Sequence, residues 1–557
     1  MLDDRASEAP ATRYEMMTGA DAITRSLIDR GVDTLFGLPG VQLDNLFDSL
    51  YRHSDRVRTL HTRHEQGAAY MALGYAQATG KPGAFAVVPG PGVLNTTAAL
   101  ATAAGSNVPV LCLTGQIPSD QIGLRLGIPH ELRDQLMTLR GVVRWAERAE
   151  AGADVPRLMD EAFRQMMGGR HQPVSLEMPP DTMGARGPVV LSRPSGVQAG
   201  PVPNPERVRA AARLLAEARR PAIFVGSGVF GAEAELLDLA EALGAPVVMS
   251  RTGRGALDDR HPLAMGMLEG QALWPEIDVV LVIGTRFMAP ALSWGREKDV
   301  TVIRIDLDPV QLDKPRLADI PIYARAADGM AAITAMLPGT GTPWPADLLR
   351  AARDDVRANL RSIEPQRSLA HVLRDELPDD AVFVVDVTQL SSYIQFAMPI
   401  YRPRGLITAG LQGTLGYAFP TALGAQVACP DRQVVAIVGD GGFMFTMQEL
   451  STAVAHGINL ITIVMNDNSF GNVRRFQKLN YGGRHIAVDL ANPDFVKLAD
   501  SFGIWARRAN GADGLREALR EAMTLKAPAL IEVPVGELPN IWGMVKRPAS
   551  QGRQASS

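Results

Sequence analysis

The sequence predicts an α/β protein made of three doubly wound parallel-sheet domains. Short continuous apolar runs alternate with helical segments, the pattern of parallel strands covered on both faces. Two stretches rich in Pro and Gly, 178–206 and 336–345, interrupt that alternation, and it restarts after each. The length of 557 residues suits roughly three to four domains of about 150 residues each.

Thr18 opens the first segment as a helix N-cap with Asp21 in the first turn, and Gly31 ends that helix. A strand over Asp33–Phe36 leads to the turn Gly37-Leu38-Pro39-Gly40 and a helix over Leu43–Tyr51. The strand Val57–His61 runs into Glu65 and a small-residue helix, Gln66–Thr79. Next come a strand over Ala84–Val88, a turn at Pro89–Gly92, a helix over Asn95–Ala104 and a strand over Val108–Leu113. Residues 178–206 read as a linker. The second run has strands at Ala222–Val225, Val247–Met249, Val279–Ile283 and Val302–Ile305. The third has Val382–Val385, Leu406–Thr408, Val434–Val438, Leu460–Val464 and Ala529–Val533. The expected domains are 1–185, 200–340 and 365–545. Glu65–Ala76 and Gly413–Ala425 are both Gly/Ala-rich and share Gly-Tyr-Ala, which fits a distant duplication or chance equally.

Composition excludes several classes. Hydrophobic residues are 46% and charged residues 21%, an ordinary globular mixture. With 56 basic and 60 acidic residues the net charge is −4, so no polybasic nucleic-acid or membrane partner is expected. No apolar run approaches the ~18 residues of a membrane span. The start, MLDDRASEAPATRYEMM, lacks the basic and apolar regions of a signal peptide. Cys112 and Cys429 lie in apolar surroundings without zinc spacing and read as buried thiols, and the expected setting is the cytoplasm.

Ligands of doubly wound sheets bind at the carboxyl ends of strands. The strongest signal there is the stretch 434–477, which reads strand, Gly439-Asp440-Gly441-Gly442, helix, strand, Asn466-Asp467-Asn468-Ser469. A right-handed crossover brings Asp440 and Asp467, 27 residues apart, to one sheet edge. Two hard oxygen ligands can then share one Mg²⁺ with diphosphate oxygens, and the glycines let backbone approach a phosphate. A tight strand–helix turn capped by Asp440 is the bland alternative.

Asp440 with the Asn466-Asp467 ending resembles the thiamine-diphosphate fingerprint. Nearly the whole chain is similar to the superfamily of acetolactate synthases and 2-oxo-acid decarboxylases, including the benzoylformate decarboxylase type. The resemblance implies a pyrimidine-binding, a middle and a diphosphate-binding domain. It assigns Mg²⁺ to Asp440, Asp467 and the Ser469 carbonyl, although the family more often has Asn at the Asp467 position. Gly439, Gly441, Gly442, Phe470 and Gly471 fall round the diphosphate, and Val387, Thr388 and Gln389 meet it. The segment 61–83, HTRHEQGAAYMALGYAQATGKPG, resembles the pyrimidine-domain motif and makes Glu65 the group that protonates the cofactor's pyrimidine, its carboxyl pKa raised by burial. Pro39, Gly40 and Asn95 match pyrimidine-side positions. Gly410–Gly416 matches the segment that bends the cofactor; the Gly413 carbonyl accepts from its amino group and Leu415 wedges between its rings. Pyrimidine and diphosphate sites come from different subunits in this family, so a homodimer is implied and a homotetramer is common.

The substrate side departs from the synthases. Pro290 stands where they carry an arginine for the acceptor carboxylate, and Phe476 where they carry a tryptophan. Arg286 and Arg125 are the substitutes at hand. Val88 occupies the place of a decarboxylase histidine. Gln116 could hydrogen-bond a substrate oxygen, and His130 could move a proton or steer an aldehyde acceptor. In the middle domain, Gly226–Gly228, Thr252–Gly255, Gly266–Gly270 and Asp306–Asp308 match positions that hold FAD in synthases or ADP in acyl-CoA relatives. The leading expectation is a thiamine-diphosphate- and Mg²⁺-dependent carboligase acting on a 2-oxo acid and a carbonyl acceptor, FAD being a further candidate cofactor. An aldehyde-releasing decarboxylase, a 2-hydroxyacyl-CoA lyase and a non-catalytic regulator on the same fold are the alternatives.

Overall fold

The structure, a computed structural model, describes residues 14–191, 199–295, 299–339 and 341–544. The chain divides into two compact units: Met1–Ala76 with Gly80–Gln198, and Gln77–Thr79 with Ala199–Ser557. The first holds one six-stranded sheet and the second holds two, each parallel throughout and interleaved with helices.

In the first unit the strands are β1 (Thr34–Gly37), β2 (Arg58–His61), β3 (Gly83–Val87), β4 (Val110–Gly115), β5 (Trp145–Arg148) and β6 (Val174–Met178). Their spatial order is β2-β1-β3-β4-β6-β5. β3 and β4 are buried along their whole length because helices cover both faces, so apolar side chains are required on both sides. The core between sheet and helices includes Leu27, Leu35, Leu46, Leu113, Met159 and Leu176.

The second unit begins with β7 (Pro221–Val225), β8 (Val247–Met249), β9 (Ala264–Met265), β10 (Val279–Ile283), β11 (Thr301–Asp306) and β12 (Ile320–Tyr323). Their order, β9-β8-β7-β10-β11-β12, is the 3-2-1-4-5-6 winding of dinucleotide-binding sheets. Its last sheet has β13 (Val382–Val385), β14 (Leu406–Thr408), β15 (Val434–Gly439), β16 (Ile461–Asn466), β17 (Trp505–Arg508) and β18 (Ala529–Pro534), ordered β14-β13-β15-β16-β18-β17. The first and last sheets thus share one winding. The helices Glu65–Thr79 and Ala418–Ala428 each follow the second strand of their sheet. The two Gly/Ala-rich segments therefore hold equivalent places, which favours duplication over chance.

Several elements differ from the sequence reading. The helix after β3 starts at Pro91, not Asn95, because Gly90 turns the chain at φ +63° and Pro91 suits the first helical position. β5 reads WAER and escapes a hydrophobic-run search, since only Ala146 of its residues is fully buried. The stretch read as a linker from 178 is structured at its start. Pro180–Gly184 is helical, and Arg186–Val189 pairs antiparallel with Glu15–Thr18. Residues 1–13, 192–198 and 545–557 lie outside the described residues, and with them most of the N-terminal stretch and the centre of the linker. Cys112 is buried, its thiol pushed up to about 12 by burial, whereas Cys429 is only half-buried. Among the described residues no helix is long and apolar enough to cross a membrane.

Candidate active site

Glu65 is the first residue of its helix, at the carboxyl end of β2. His64 caps that helix by accepting from the Gln66 N–H at 3.1 Å. The Glu65 side chain is 14% exposed, and its Oε2 accepts from the Asn95 amide at 3.0 Å. Asn95 rides on the helix Pro91–Ser106, whose first turn passes so close that a β-carbon on Gly92 would lie 3.7 Å from Glu65 Cγ. Gly40 meets Val88 in the same way, with 2.5 Å between its would-be β-carbon and Val88 Cγ1. Pro39, Gly40, Glu65, Val88 and Asn95 thus all sit at the carboxyl edge of the first sheet, on segments that follow β1, β2 and β3.

Behind this edge lies a buried polar network that sequence reasoning missed. Glu177, fully buried on β6, accepts from Gln135 at 2.9 Å, Gln116 at 3.3 Å and Arg148 at 2.6 Å. Gln135 in turn takes the Gly90 N–H at 3.0 Å and donates to the Gly115 carbonyl at 3.0 Å. Gln116 is buried and engaged at both ends, since its oxygen accepts from the Ile117 N–H at 2.8 Å. His130 lies over the same turn: its Nδ1 is 3.1 Å from the Pro89 carbonyl, and its backbone would clash with any β-carbon on Gly90. Arg125 is exposed at φ +56°.

In the second unit, Asp440 follows β15 and Asp467 follows β16, the crossover expected from the sequence. Burial, and after it the Asp467 carboxylate, push Asp440 up to about 6. Burial holds Asp467 above the usual carboxylate range. Ser469 donates to Asp467 Oδ1 through its N–H at 3.0 Å and its hydroxyl at 3.2 Å. The Asn492 amide donates to Asp440 Oδ2 at 2.6 Å and approaches Asn466 Oδ1 at 3.1 Å and Asn468 Oδ1 at 3.3 Å. Its nitrogen is therefore ringed by three oxygens.

The glycines of this turn are set by close neighbours. A β-carbon at Gly441 would lie 2.7 Å from the Phe470 ring, at Gly471 2.3 Å from Asp467 Oδ2, and at Gly439 3.2 Å from Thr388. At Gly442 it would lie 2.3 Å from Asp386 Oδ2. Asp386, at the end of β13, is buried; Oδ1 takes the Val387 N–H at 2.8 Å, and Oδ2 has no partner among the described residues. Burial pushes its carboxyl up to about 7. The next residues, Val387 and Gln389, bind Asn472 at 3.0 and 2.6 Å, while Thr388 caps the helix Gln389–Ala397. Gly410, Gly413 and Gly416 all have positive φ, and Leu411, Gly413 and Leu415 are exposed. Such a loop exposes two apolar side chains, Leu411 and Leu415.

The glycines of the central sheet have packing reasons. The loops after β7, β8 and β10 touch backbone to backbone: a β-carbon on Gly228 would lie 2.6 Å from Gly284 Cα, and one on Gly253 2.9 Å from Gly226. Asp306 Oδ1 accepts the Asp308 N–H at 3.0 Å. Pro290 is buried in the helix Met288–Ser293.

Comparison with known proteins decides the family. Residues 17–138 match the thiamine pyrophosphate enzyme N-terminal TPP binding domain, 208–333 its central domain, and 386–533 its C-terminal TPP binding domain. An acetolactate synthase of Mycobacterium leprae is 33% identical over 96% of this chain and 90% of its own length. The probable acetolactate synthase large subunit of Methanocaldococcus jannaschii is 33% identical over 93% of this chain and 92% of its own. The large subunit of Corynebacterium glutamicum is 31% identical over 98% and 91%. The chain belongs to the acetolactate-synthase-like thiamine pyrophosphate enzymes. It is a thiamine-diphosphate-dependent enzyme, and the three parallel sheets are its N-terminal, central and C-terminal domains.

The residues of the last sheet fit the metal that accompanies a diphosphate. Two carboxylates held above their normal range by burial need positive charge between them, and an all-oxygen donor set suits Mg²⁺. Among the described residues no cluster of three His, Cys, Asp or Glu competes for a metal. Asp386, Asn492, Gln135 and Glu177 are the site residues that escaped sequence reasoning. Only Asp386 left a trace, as the acidic residue closing an apolar strand.

Proposed function

We propose that this enzyme decarboxylates a 2-oxo acid and passes the acyl unit to a carbonyl acceptor, as a thiamine-diphosphate- and Mg²⁺-dependent carboligase. The observation that carries the reading is the Glu65 carboxyl held by Asn95 at 3.0 Å at a strand end. Bound thiamine diphosphate supplies the nucleophilic carbon and the electron sink for CO₂ loss. Glu65 holds the proton that the pyrimidine requires, and Asn95 orients its carboxyl. Pro39 and Gly40 flank the pyrimidine. Asp440, Asp467 and the Ser469 carbonyl hold Mg²⁺. Val387, Thr388, Gln389, Gly439, Gly441, Gly442, Phe470 and Gly471 would hold the diphosphate, and Gly413 with Leu415 would support the cofactor's rings. His130, its Nδ1 engaged by Pro89, presents Nε2 to a substrate oxygen. For Gln116, engaged at both ends, the proposed role shifts from touching substrate to holding the end of β4 through Glu177.

A homodimer or homotetramer with the site between subunits belongs to this reading. Its support is the apolar surface beside the cofactor segments, where Leu411, Leu415 and Phe445 are exposed. The free thiols suit a reducing cytoplasm. FAD on the central sheet is proposed from the residue matches, and flavin absorbance of the purified protein tests it.

One observation favours a second reading, release of an aldehyde. Pro290 gives the acceptor carboxylate no cation where the synthases place arginine. Measuring CO₂ release and product mass across 2-oxo acids, with and without aldehyde or 2-oxo-acid acceptors, separates the two. No cofactor-dependent CO₂ from any of them would remove both.

A further inference from the structure

The peptide unit between Pro89 and Gly90 is held from both sides. Its N–H donates to the Gln135 side-chain oxygen at 3.0 Å, and its carbonyl lies 3.1 Å from His130 Nδ1. The unit is trans, so the two groups point in opposite directions from one rigid plane. Gly90 stands at φ +63° and His130 at φ +69°. Their backbones touch: a β-carbon on Gly90 would lie 2.5 Å from the His130 carbonyl oxygen. Glu131 closes the turn before His130 by taking the N–H groups of Gly127 at 2.6 Å and Ile128 at 3.3 Å.

The Gln135 amide is itself oriented. The residue is buried, and its side-chain nitrogen donates to Glu177 Oε2 at 2.9 Å and to the Gly115 carbonyl at 3.0 Å. Arg148 lies against the other oxygen of that carboxylate at 2.6 Å. A carbonyl and an arginine-paired carboxylate only accept, so the amide nitrogen faces them and the amide oxygen faces Gly90. The same rule applies to His130. The Pro89 carbonyl cannot donate, so Nδ1 carries the hydrogen, and in the neutral ring Nε2 keeps a lone pair.

We propose that Gln135 is a positioning residue that sets the tautomer of His130. Backed by Glu177, it locks the Pro89–Gly90 peptide, whose carbonyl holds the Nδ1 hydrogen and leaves Nε2 bare. His130 then meets substrate as a proton acceptor. Nε2 takes the proton of a substrate hydroxyl, the ring becomes imidazolium, and the proton returns to an oxygen later in the same turnover. That direction of transfer rests on His130 facing substrate, as proposed for the carboligase. Without the Gln135 oxygen the Gly90 N–H loses its partner, the peptide plane can turn its carbonyl off Nδ1, and both tautomers become open.

Two measurements on the whole chain, loaded with thiamine diphosphate and Mg²⁺, test this. Magic-angle-spinning nitrogen NMR of sedimented protein with isotope-labelled histidine reads each ring nitrogen. The His130 signals are those, among nine histidines, that His130→Gln lacks. Wild type with a neutral ring should carry hydrogen on Nδ1 alone. Gln135→Met should populate the other tautomer. Glu177→Gln keeps the shape but lets the Gln135 amide turn over, and it should do so in part. Turnover of a 2-oxo acid with an aldehyde acceptor is the second readout. His130→Gln should lower kcat by about 10²-fold and Gln135→Met by about tenfold, with thiamine diphosphate affinity little changed. In the double variant the Gln135→Met loss should disappear, because it acts through the imidazole. A purely structural Gln135 would multiply the two losses instead. Hydrogen on Nε2 in wild type, an unchanged tautomer in both Gln135→Met and Glu177→Gln, or multiplied losses overturns the proposal. Unchanged kcat in His130→Gln removes the substrate-facing role of His130, and the nitrogen spectra then decide by themselves whether Gln135 sets the tautomer.

Discussion

Asp386 Oδ2 lies 2.3 Å from the point where a β-carbon on Gly442 would stand, so the two residues share one volume. The carboxyl cannot swing away freely, because its other oxygen holds the Val387 N–H. Gly442→Ala should therefore cost about 1–3 kcal/mol of stability. In an Asp386→Ala background the same change should cost much less. A double-mutant cycle by urea denaturation measures the difference, and purely additive costs would contradict the shared volume.

The same carboxyl makes stability depend on pH. Burial raises its folded pKa from 3.8 to about 7. Between these values the folded chain keeps a proton that the unfolded chain has released. This group's contribution is therefore most favourable below about pH 4 and declines as pH rises towards 7. Asp386→Asn should remove that decline. Relative to wild type, the variant should gain on the order of 2 kcal/mol between pH 5 and pH 8, read from denaturation midpoints at both.

Glu65 should matter to chemistry and little to folding, since it lies at an edge and its hydrogen bond is to Asn95. Glu65→Gln should lower kcat by about 10²-fold or more with unchanged circular dichroism. Asn95→Ala should lower it less, by about tenfold. Steady-state turnover of any accepted 2-oxo acid measures both.

Glu177 carries the opposite expectation. Its removal strands Arg148, Gln116 and Gln135 inside the first unit. Glu177→Ala should cost about 3–5 kcal/mol. Gln135→Met, which frees the Gly90 N–H, should cost about 1–3 kcal/mol. Guanidinium denaturation checks both values, and costs within error of zero would mean the network is ornamental.

Asp440 and Asp467 should not be equivalent. Asn492 and the Asp467 charge converge on Asp440, so Asp440→Asn should abolish measurable Mg²⁺ binding. Asp467→Asn, the residue more common at this place in the family, should keep binding at higher Mg²⁺ concentration. Calorimetric Mg²⁺ titration in the presence of thiamine diphosphate distinguishes the two, and equal losses would refute the asymmetry.

Legibility followed distance along the chain. Asp440 and Asp467 were visible because one βαβ unit places them, and its glycines and apolar strands are local signals. The strand–helix junction placed Glu65 at a strand end, and the resemblance of the segment 61–83 singled it out. β5 was invisible because an edge strand buries little, and WAER carries no periodicity of apolar residues. The pairing of Arg186–Val189 with Glu15–Thr18 joins segments about 170 residues apart, and nothing local announces it.

Taken alone, the sequence determined the alternating strands and helices and the carboxyl-edge residues, including the two aspartates and Glu65. These depend on apolar runs and on the right-handed crossover, which act over tens of residues. Only the tertiary structure decided that Glu177 gathers Gln116, Gln135 and Arg148, and that Asp386 excludes a side chain from Gly442. Each of these contacts brings together side chains from distant segments. A buried polar group finds its partner, or goes without one, only when packing has settled which segments meet.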